Sequence, residues 1–207
     1  LPPLPSPPFF TQKAKYARWM VSNLGSGVLS TTSVHLGGTA FGNPQSFVDG
    51  TIDNSTGNIY LYVSDDDASM QDVSLDKEIT FTISEEMSGN GCTQAGLDPE
   101  DPMCMRVVLV GMMANVSTDA REWATQALFE RHPGMKHWPQ QGHGFYVATV
   151  KLKSVWIIDE FGGAATITPE DFLAASPISP PGRNSTSPVP KPSRAPLFTE
   201  KASTARW

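Results

Sequence analysis

The chain has 207 residues, a formal net charge of −6, and 39% hydrophobic but only 17% charged residues. That length suits one domain with a real core, and the composition fits a folded β-rich domain and excludes a coiled coil or a wholly disordered chain. No apolar run approaches the roughly 20 residues of a membrane helix, and the basic residues form no patch, so neither a transmembrane segment nor a nucleic-acid partner is expected.

The opening LPPLPSPPFF reads as a polyproline-type arm over residues 1–10. Residues 11–24 read as a helix, with Ala17, Met20, Val21 and Leu24 on one face. A strand follows in GVLSTTSVH, then a short or edge segment in AFGNPQSFVDG that Pro44 breaks. TIDNSTG is turn chemistry, NIYLYVS a buried strand, and DDASMQDVSLD a short helix or loop. EITFTISE alternates cleanly, placing Ile79, Phe81 and Ile83 on one face. MRVVLVGMMANV is a long strand with Gly111 as a candidate bulge. STDAREWATQALFER is a helix with an apolar stripe of Ala120, Trp123, Ala124, Ala127 and Leu128, capped by Ser117 or Thr118 and ended by Pro133. GFYVATVKLK and SVWIIDEF read as adjacent strands before a Gly162-Gly163 turn, and TPEDFLAA as a last helical turn with Thr168 as cap and Pro169 at its first position. From Ser176 the chain is rich in Pro and Ser and has few core formers, so it is not expected to fold alone. The organisation is thus an arm (1–10), a domain (11–175) and a tail (176–207). About six strands and two or three helices argue for an antiparallel barrel or sandwich with peripheral helices.

Cys92 and Cys104 bracket a Gly/Pro/Asp loop, TQAGLDPEDPM. The spacing is far from Cys-x-x-Cys and no cation adjoins either thiol, which favours a structural disulfide over a redox pair. Closing a loop of about a dozen residues contributes roughly 3 kcal/mol in the chain-entropy model. Sequons begin at Asn54, Asn115 and Asn184. With the two cysteines and a start at Leu1 rather than Met, they point to the secretory pathway.

Three of the four histidines, His132, His137 and His143, fall in FERHPGMKHWPQQGHGFY. Pro133, Gly134 and Pro139 exclude the helical spacing a metal site would use, and no carboxylate lies between them. Arg131 and His132 read instead as a helix C-terminus, where cations are favoured, with His137 and Trp138 packed on a turn. There is no Gly-x-Ser-x-Gly elbow, no His-Glu-x-x-His and no phosphate-binding glycine loop. Glu85-Glu86 ends a strand and is expected to face water.

LFERHPGMKHWP, the aromatic strand after it and VWIIDEFGGAATITPEDF resemble the CREG family of secreted glycoproteins, as do YARWMVSNLGSGVLST, YLYVS and the cysteines around GLDPEDP. The resemblance spans roughly residues 10–175 and leaves the Pro-rich tail outside. It implies a six-stranded antiparallel Greek-key split β-barrel of the FMN-binding type, paired as a homodimer. Members are described as secreted or endolysosomal, linked to growth control and lysosomal function, and without flavin or enzymatic activity.

Flavin oxidases of this fold hold the phosphate with Arg, Lys, Ser and Thr after the strand that matches YLYVS. A phosphate dianion needs cations or clustered N–H donors. Here the strand runs into Asp65, Asp66 and Asp67, and no Lys or Arg occurs between Arg18 and Lys77. Each carboxylate about 4 Å from a phosphate charge costs about 1 kcal/mol even in high dielectric. Thr31, Thr32 and Ser33 offer hydroxyls alone. The sequence therefore assigns no catalytic residue, no cofactor and no metal. The leading expectation is a non-enzymatic secreted glycoprotein acting through protein contacts. A flavin- or haem-linked oxidoreductase on the same barrel is the second reading, and an accessory subunit docked by its Pro-rich tail the third. Phe9, Phe10, Leu197, Phe198 and Trp207 are the large side chains by which the arm and the tail would dock on the same dimer or on a partner.

Overall fold

A computed structural model describes residues 5–89, 91–139, 141–158 and 163–177. Asn184, Leu197, Phe198, Trp207 and Gly162 of the Gly-Gly turn lie outside the described residues. In chain order the elements are α1 (Lys13–Asn23), β1 (Ser26–Thr32), β2 (Ala40–Thr51), β3 (Asn54–Val63), α2 (Ala68–Leu75), β4 (Glu78–Ser84), β5 (Arg106–Asn115), α3 (Thr118–Arg131), β6 (Tyr146–Ile158), β7 (Ala164–Ile167) and α4 (Pro169–Ala174).

The strands run in the order β3-β2-β1-β4-β5-β6-β7, all antiparallel, and a β3–β6 pairing closes the first six into a barrel. The β3-to-β4 connection passes through α2 and skips two strands, which is the Greek-key step. β7 is a seventh strand that the sequence reading lacks; it extends the sheet from the far end of β6. The barrel thus fits the expected class, with one strand more.

Alternation sets the two layers of the core. Phe47, Ile59, Leu61 and Val63 on β2 and β3 point into the barrel with Leu29, Phe81, Ile83, Leu109 and Ile157. Their neighbours Val48, Tyr60 and Tyr62 point out and are covered by Ala124, Ala127 and Leu128 of α3. A period of two along the strands and of 3.6 along the helix thus meet in one interface. Helix α1 buries its expected face and also Tyr16, Arg18 and Trp19, and Trp19 Nε1 donates to Pro5 O of the N-terminal arm at 3.1 Å. In α4, Thr168 caps Asp171 N and Pro169 sits at the first position, as expected.

Several boundaries differ from the sequence reading for identifiable reasons. Pro44 does not break β2: residues 40–46 pair only with β1, while β3 pairs from Phe47 onward, so the proline occupies an edge where no second ladder needs its N–H. The β2–β3 turn is only Ile52-Asp53, with Thr51 opposite Asn54. Residues 146–158 form one strand, not two, because β6 changes partners along its length, from β3 near Tyr146 to β7 near Val155. The bulge at Gly111 lies on the opposite strand: Val110 faces Ser154 and Gly111 faces Leu152, so Lys153 is the extra residue. Gly111 permits the close approach, since a Cβ there would sit 2.3 Å from Lys151 O. Glu85 and Glu86 do not simply face water. Tyr16 Oη donates to Glu85 at 2.6 Å, Met105 N donates to Glu85 at 3.0 Å, and Thr93 donates to Glu86 through both its N–H and its hydroxyl.

Candidate functional site: an acidic corner beside a buried ionic cluster

Strand β3 ends at Val63 and delivers Ser64, Asp65, Asp66 and Asp67 to the start of α2. Asp67 caps the helix, accepting from Ser69 N at 2.7 Å. Its carboxylate also accepts from Gln45 Nε2 at 3.1 Å and Asn43 Nδ2 at 3.3 Å. The run is therefore more than a solvated helix start, and the anion at the helix N-terminus is favoured by the helix field. Asp65 and Asp66 stay exposed. The Tyr146 hydroxyl is pushed up to about 12, first by burial and then by its bond to Asp65 and the charges of Asp65 and Asp67.

One turn along, Asp72 is buried. Burial favours its neutral form, but bonds from Val34 N at 2.8 Å and Thr31 Oγ1 at 2.7 Å, with His35 nearby, outweigh that and hold its carboxyl below the ordinary value. Two of the corner's three candidate hydroxyls are thus engaged within the protein. Thr31 serves Asp72, and Ser33 Oγ meets His35 Nδ1 at 3.0 Å while accepting from Leu36 N. Thr32 is exposed. The strands and helix that build the corner, β1, β2, β3 and α2, carry no lysine or arginine. These residues do not fit a flavin phosphate: a dianion would meet carboxylates, the already partnered hydroxyls of Thr31 and Ser33, and no cation of these elements.

Ser33, His35 and Asp72 invite comparison with a nucleophile–base–acid triad. The geometry excludes it. Ser33 and Asp72 both approach the same ring nitrogen, Nδ1, at 3.0 and 4.0 Å. A relay needs the two partners on opposite nitrogens.

The other histidines are dispersed. His132 Nε2 meets Phe47 O at 3.0 Å, and burial, reinforced by Arg131, lowers its pKa against that bond. His143 Nδ1 lies 3.2 Å from Asp66 Oδ2, both exposed. His137 ends a short turn of 3-10 helix. Among the described residues the one potential metal-ligand group is Glu86 with Cys92 and Cys104. The two sulfurs are bonded to each other, with Cα atoms 5.7 Å apart, so no thiolate is on offer. Asn54 at the β2–β3 hairpin and Asn115 at the end of β5 are both exposed.

A second constellation escaped sequence reading. Asp49 is buried on β2, where the register with β3 breaks between Val48 and Gly50. Arg18 Nη1 lies 3.4 Å from its Oδ2, and Arg131 Nη1 3.6 Å from its Oδ1. Ser55 Oγ and Gly57 N also donate to Oδ2, at 2.5 and 3.2 Å. Burial pushes the Asp49 carboxyl up, opposed by these donors, and lowers both guanidinium values. Arg18 further donates to Ala175 O, just past α4. The signal was present as a lone aspartate in the apolar FVDG and an arginine inside the apolar helix YARWMV. Arg131 and His132 do end α3, as expected, but both also reach across to β2, and burial disfavours the charged form of His132.

Two further surfaces surround the barrel. A groove of about 270 Å³ between β3, β6, α3 and α4 is lined by Tyr60, Val116, Leu152 and Leu173, with Lys151 its one titratable cation. It holds no acid–base pair. Beside the acidic corner lies an aromatic cluster. Tyr62 stacks on Phe145 at 5.0 Å, and Trp138 lies 5.4 Å from Phe145 and 6.0 Å from Tyr62. Trp138 remains 40% exposed.

A family model described as CREG, beta-barrel matches residues 8–174. Human protein CREG2 is 34% identical over 174 residues, which is 83% of this chain and 59% of that protein. Mouse protein CREG1 is 33% identical over 84% of this chain and 77% of its own length. The chain therefore spans well under two thirds of the human relative. Among solved structures, a heme binding protein from Mycobacterium smegmatis superposes with a TM-score of 0.64 at 19% identity, covering 83% of this chain and 62% of the other. ChuZ of Campylobacter jejuni gives 0.58 at 13% identity, over 84% and 68%. At these identities the structures share the fold alone.

Proposed function

The chain belongs to the CREG β-barrel family, and on that premise we propose that it is a glycoprotein of the secretory pathway, secreted or endolysosomal, that acts through protein contacts and not by catalysis. One observation carries the reading. The corner between β1, β3 and α2 is acidic, its Thr31 and Ser33 hydroxyls are engaged internally, and no cation of those elements serves an incoming phosphate. A barrel with that corner is a scaffold on which surface residues, glycans at Asn54 and Asn115, and the cysteine loop do the recognising. The disulfide and the sequons support an oxidising compartment. We further propose a homodimer, in keeping with the family resemblance.

The test uses full-length protein expressed through a eukaryotic secretory pathway. The purified protein is expected to lack a visible flavin band and to release no heat when titrated with FMN. Stoichiometric flavin, or FMN binding in the micromolar range or tighter, overturns the reading in favour of a flavoprotein oxidoreductase. A Soret band that persists through purification overturns it in favour of a haem protein. Light scattering of the same sample tests the dimer.

A further inference from the structure

Charge is distributed unevenly along this chain. Residues 178–207 hold five lysines and arginines (Arg183, Lys191, Arg194, Lys201, Arg206) against the single Glu200, a net of +4. The remaining 177 residues therefore carry −10 within the total of −6. The cationic stretch is also the proline-rich one: Ser187 to Phe198 reads SPVPKPSRAPLF, with Pro188, Pro190 and Pro192 alternating around Lys191 and ahead of Arg194. Such segments favour an extended left-handed helix and dock on aromatic surfaces with little further loss of entropy.

The barrel presents Trp138, 40% exposed, at the edge of a matching aromatic cluster in which Phe129 and Phe145 are half-buried and Tyr62 is buried. Tyr62, Phe129, Trp138 and Phe145 form a continuous aromatic cluster with ring centroids 5.0 to 6.0 Å apart. His143 packs on Phe145 at 5.9 Å and reaches Asp66, so the aromatic cluster and the acidic corner meet at one edge. Asp66 is 66% exposed in its side chain, and Asp65 lies beside it in the chain, also exposed. Aromatic rings take proline rings and guanidinium planes, and adjacent carboxylates take lysine and arginine. From Pro177, where the described chain leaves α4, the eleven residues to Pro188 reach about 34 Å at roughly 3.1 Å per extended residue.

We propose that residues 187–198 of the same chain dock on this aromatic and acidic corner, with the prolines on Trp138 and Phe145 and with Lys191 and Arg194 against Asp65 and Asp66. The tail then covers this corner, and it is a competitor for any partner that approaches there. This docking does not depend on whether the protein is an enzyme.

Zero-length carbodiimide coupling of the full-length protein, read by mass spectrometry, tests the contact. The expected product joins Lys191 to Asp65 or Asp66 within one chain, and it disappears at high salt, where exposed pairs are screened. A mixture of isotopically light and heavy protein separates linkage within a chain from linkage between copies. Lys191 links found only between copies overturn the proposal in favour of exchange between protomers. Links spread evenly over Asp98, Glu100 and Asp101 overturn it in favour of diffuse attraction. A full-length Asp65→Asn/Asp66→Asn variant gives an independent readout. Tryptic cleavage after Arg194, the tryptic site in this segment because Lys191 is followed by Pro192, is expected to quicken roughly fivefold, as loss of two exposed ion pairs implies, while an Asp98→Asn/Glu100→Asn control leaves it unchanged. Equal cleavage rates in both variants refute the docking.

Discussion

Arg18 on α1 and Asp49 on β2 lie 3.4 Å apart, with their side chains 3% and 1% exposed. Arg131 from α3 approaches the other carboxylate oxygen at 3.6 Å. One buried carboxylate therefore ties two helices to the strand between them. Asp49→Ala leaves two guanidiniums without a counter-charge, and the expected loss is ~3–5 kcal/mol in urea unfolding. A loss under ~1 kcal/mol, the worth of a surface pair, would show that the cluster does not hold these elements together.

Gly57 is the backbone position that this cluster demands. Its φ is +83°, and a Cβ would sit 2.0 Å from Arg18 Nη1. Gly57→Ala is expected to cost ~2 kcal/mol or more through the clash and the left-handed backbone together. Combining it with Arg18→Met removes the clash, so the double-mutant cycle should show a coupling of ~1 kcal/mol or more. Strict additivity would contradict the arrangement.

His132 makes stability depend on pH. Burial depresses its folded value below the ordinary 6.5, and the Phe47 bond only partly opposes this. As pH falls below about 6.5 the unfolded chain takes up a proton that the folded chain refuses, so stability is lost on acidification. Asp49, pushed up by burial, works the other way in acid. The difference between the wild-type protein and His132→Gln therefore isolates the effect. The wild type should lose more of its urea midpoint than the variant between about pH 7 and pH 5. Parallel curves would rule out a neutral, depressed His132.

The Cys92–Cys104 bond closes the loop between β4 and β5, with Met105 N held by Glu85 at its end. Cys92→Ser should lower stability by ~2–4 kcal/mol. Recovery of two free thiols from the native protein by alkylation and mass spectrometry would remove the basis for that figure.

Asn54 and Asn115 are both exposed at element ends. In protein secreted by a eukaryotic host, intact mass should fall on amide-glycosidase treatment, and Asn54→Gln and Asn115→Gln should each remove one step. A bare polypeptide would withdraw the secretory assignment.

The alternation of Ile79, Phe81 and Ile83, the stripe of α3 and the Thr168-Pro169 start of α4 could be read from sequence because each is a local rule that the core obeys. The acidic run was legible for the same reason: no cation stands near it in the chain. The Arg18–Asp49–Arg131 cluster was not legible, since its members are separated by 31 residues or more and meet only when β2 passes between α1 and α3. Nor was the single long β6, whose change of neighbours depends on barrel closure, or the bulge at Lys153, which depends on what lies opposite Gly111. Ser33, His35 and Asp72 make the same point for chemistry. The residue types were visible, but only the tertiary structure decided that two of them share one nitrogen. Local periodicity and composition determined the elements and the character of the acidic corner. Long-range register and closure decided which charges are buried together, because burial is a property of the packed barrel and not of any segment within it.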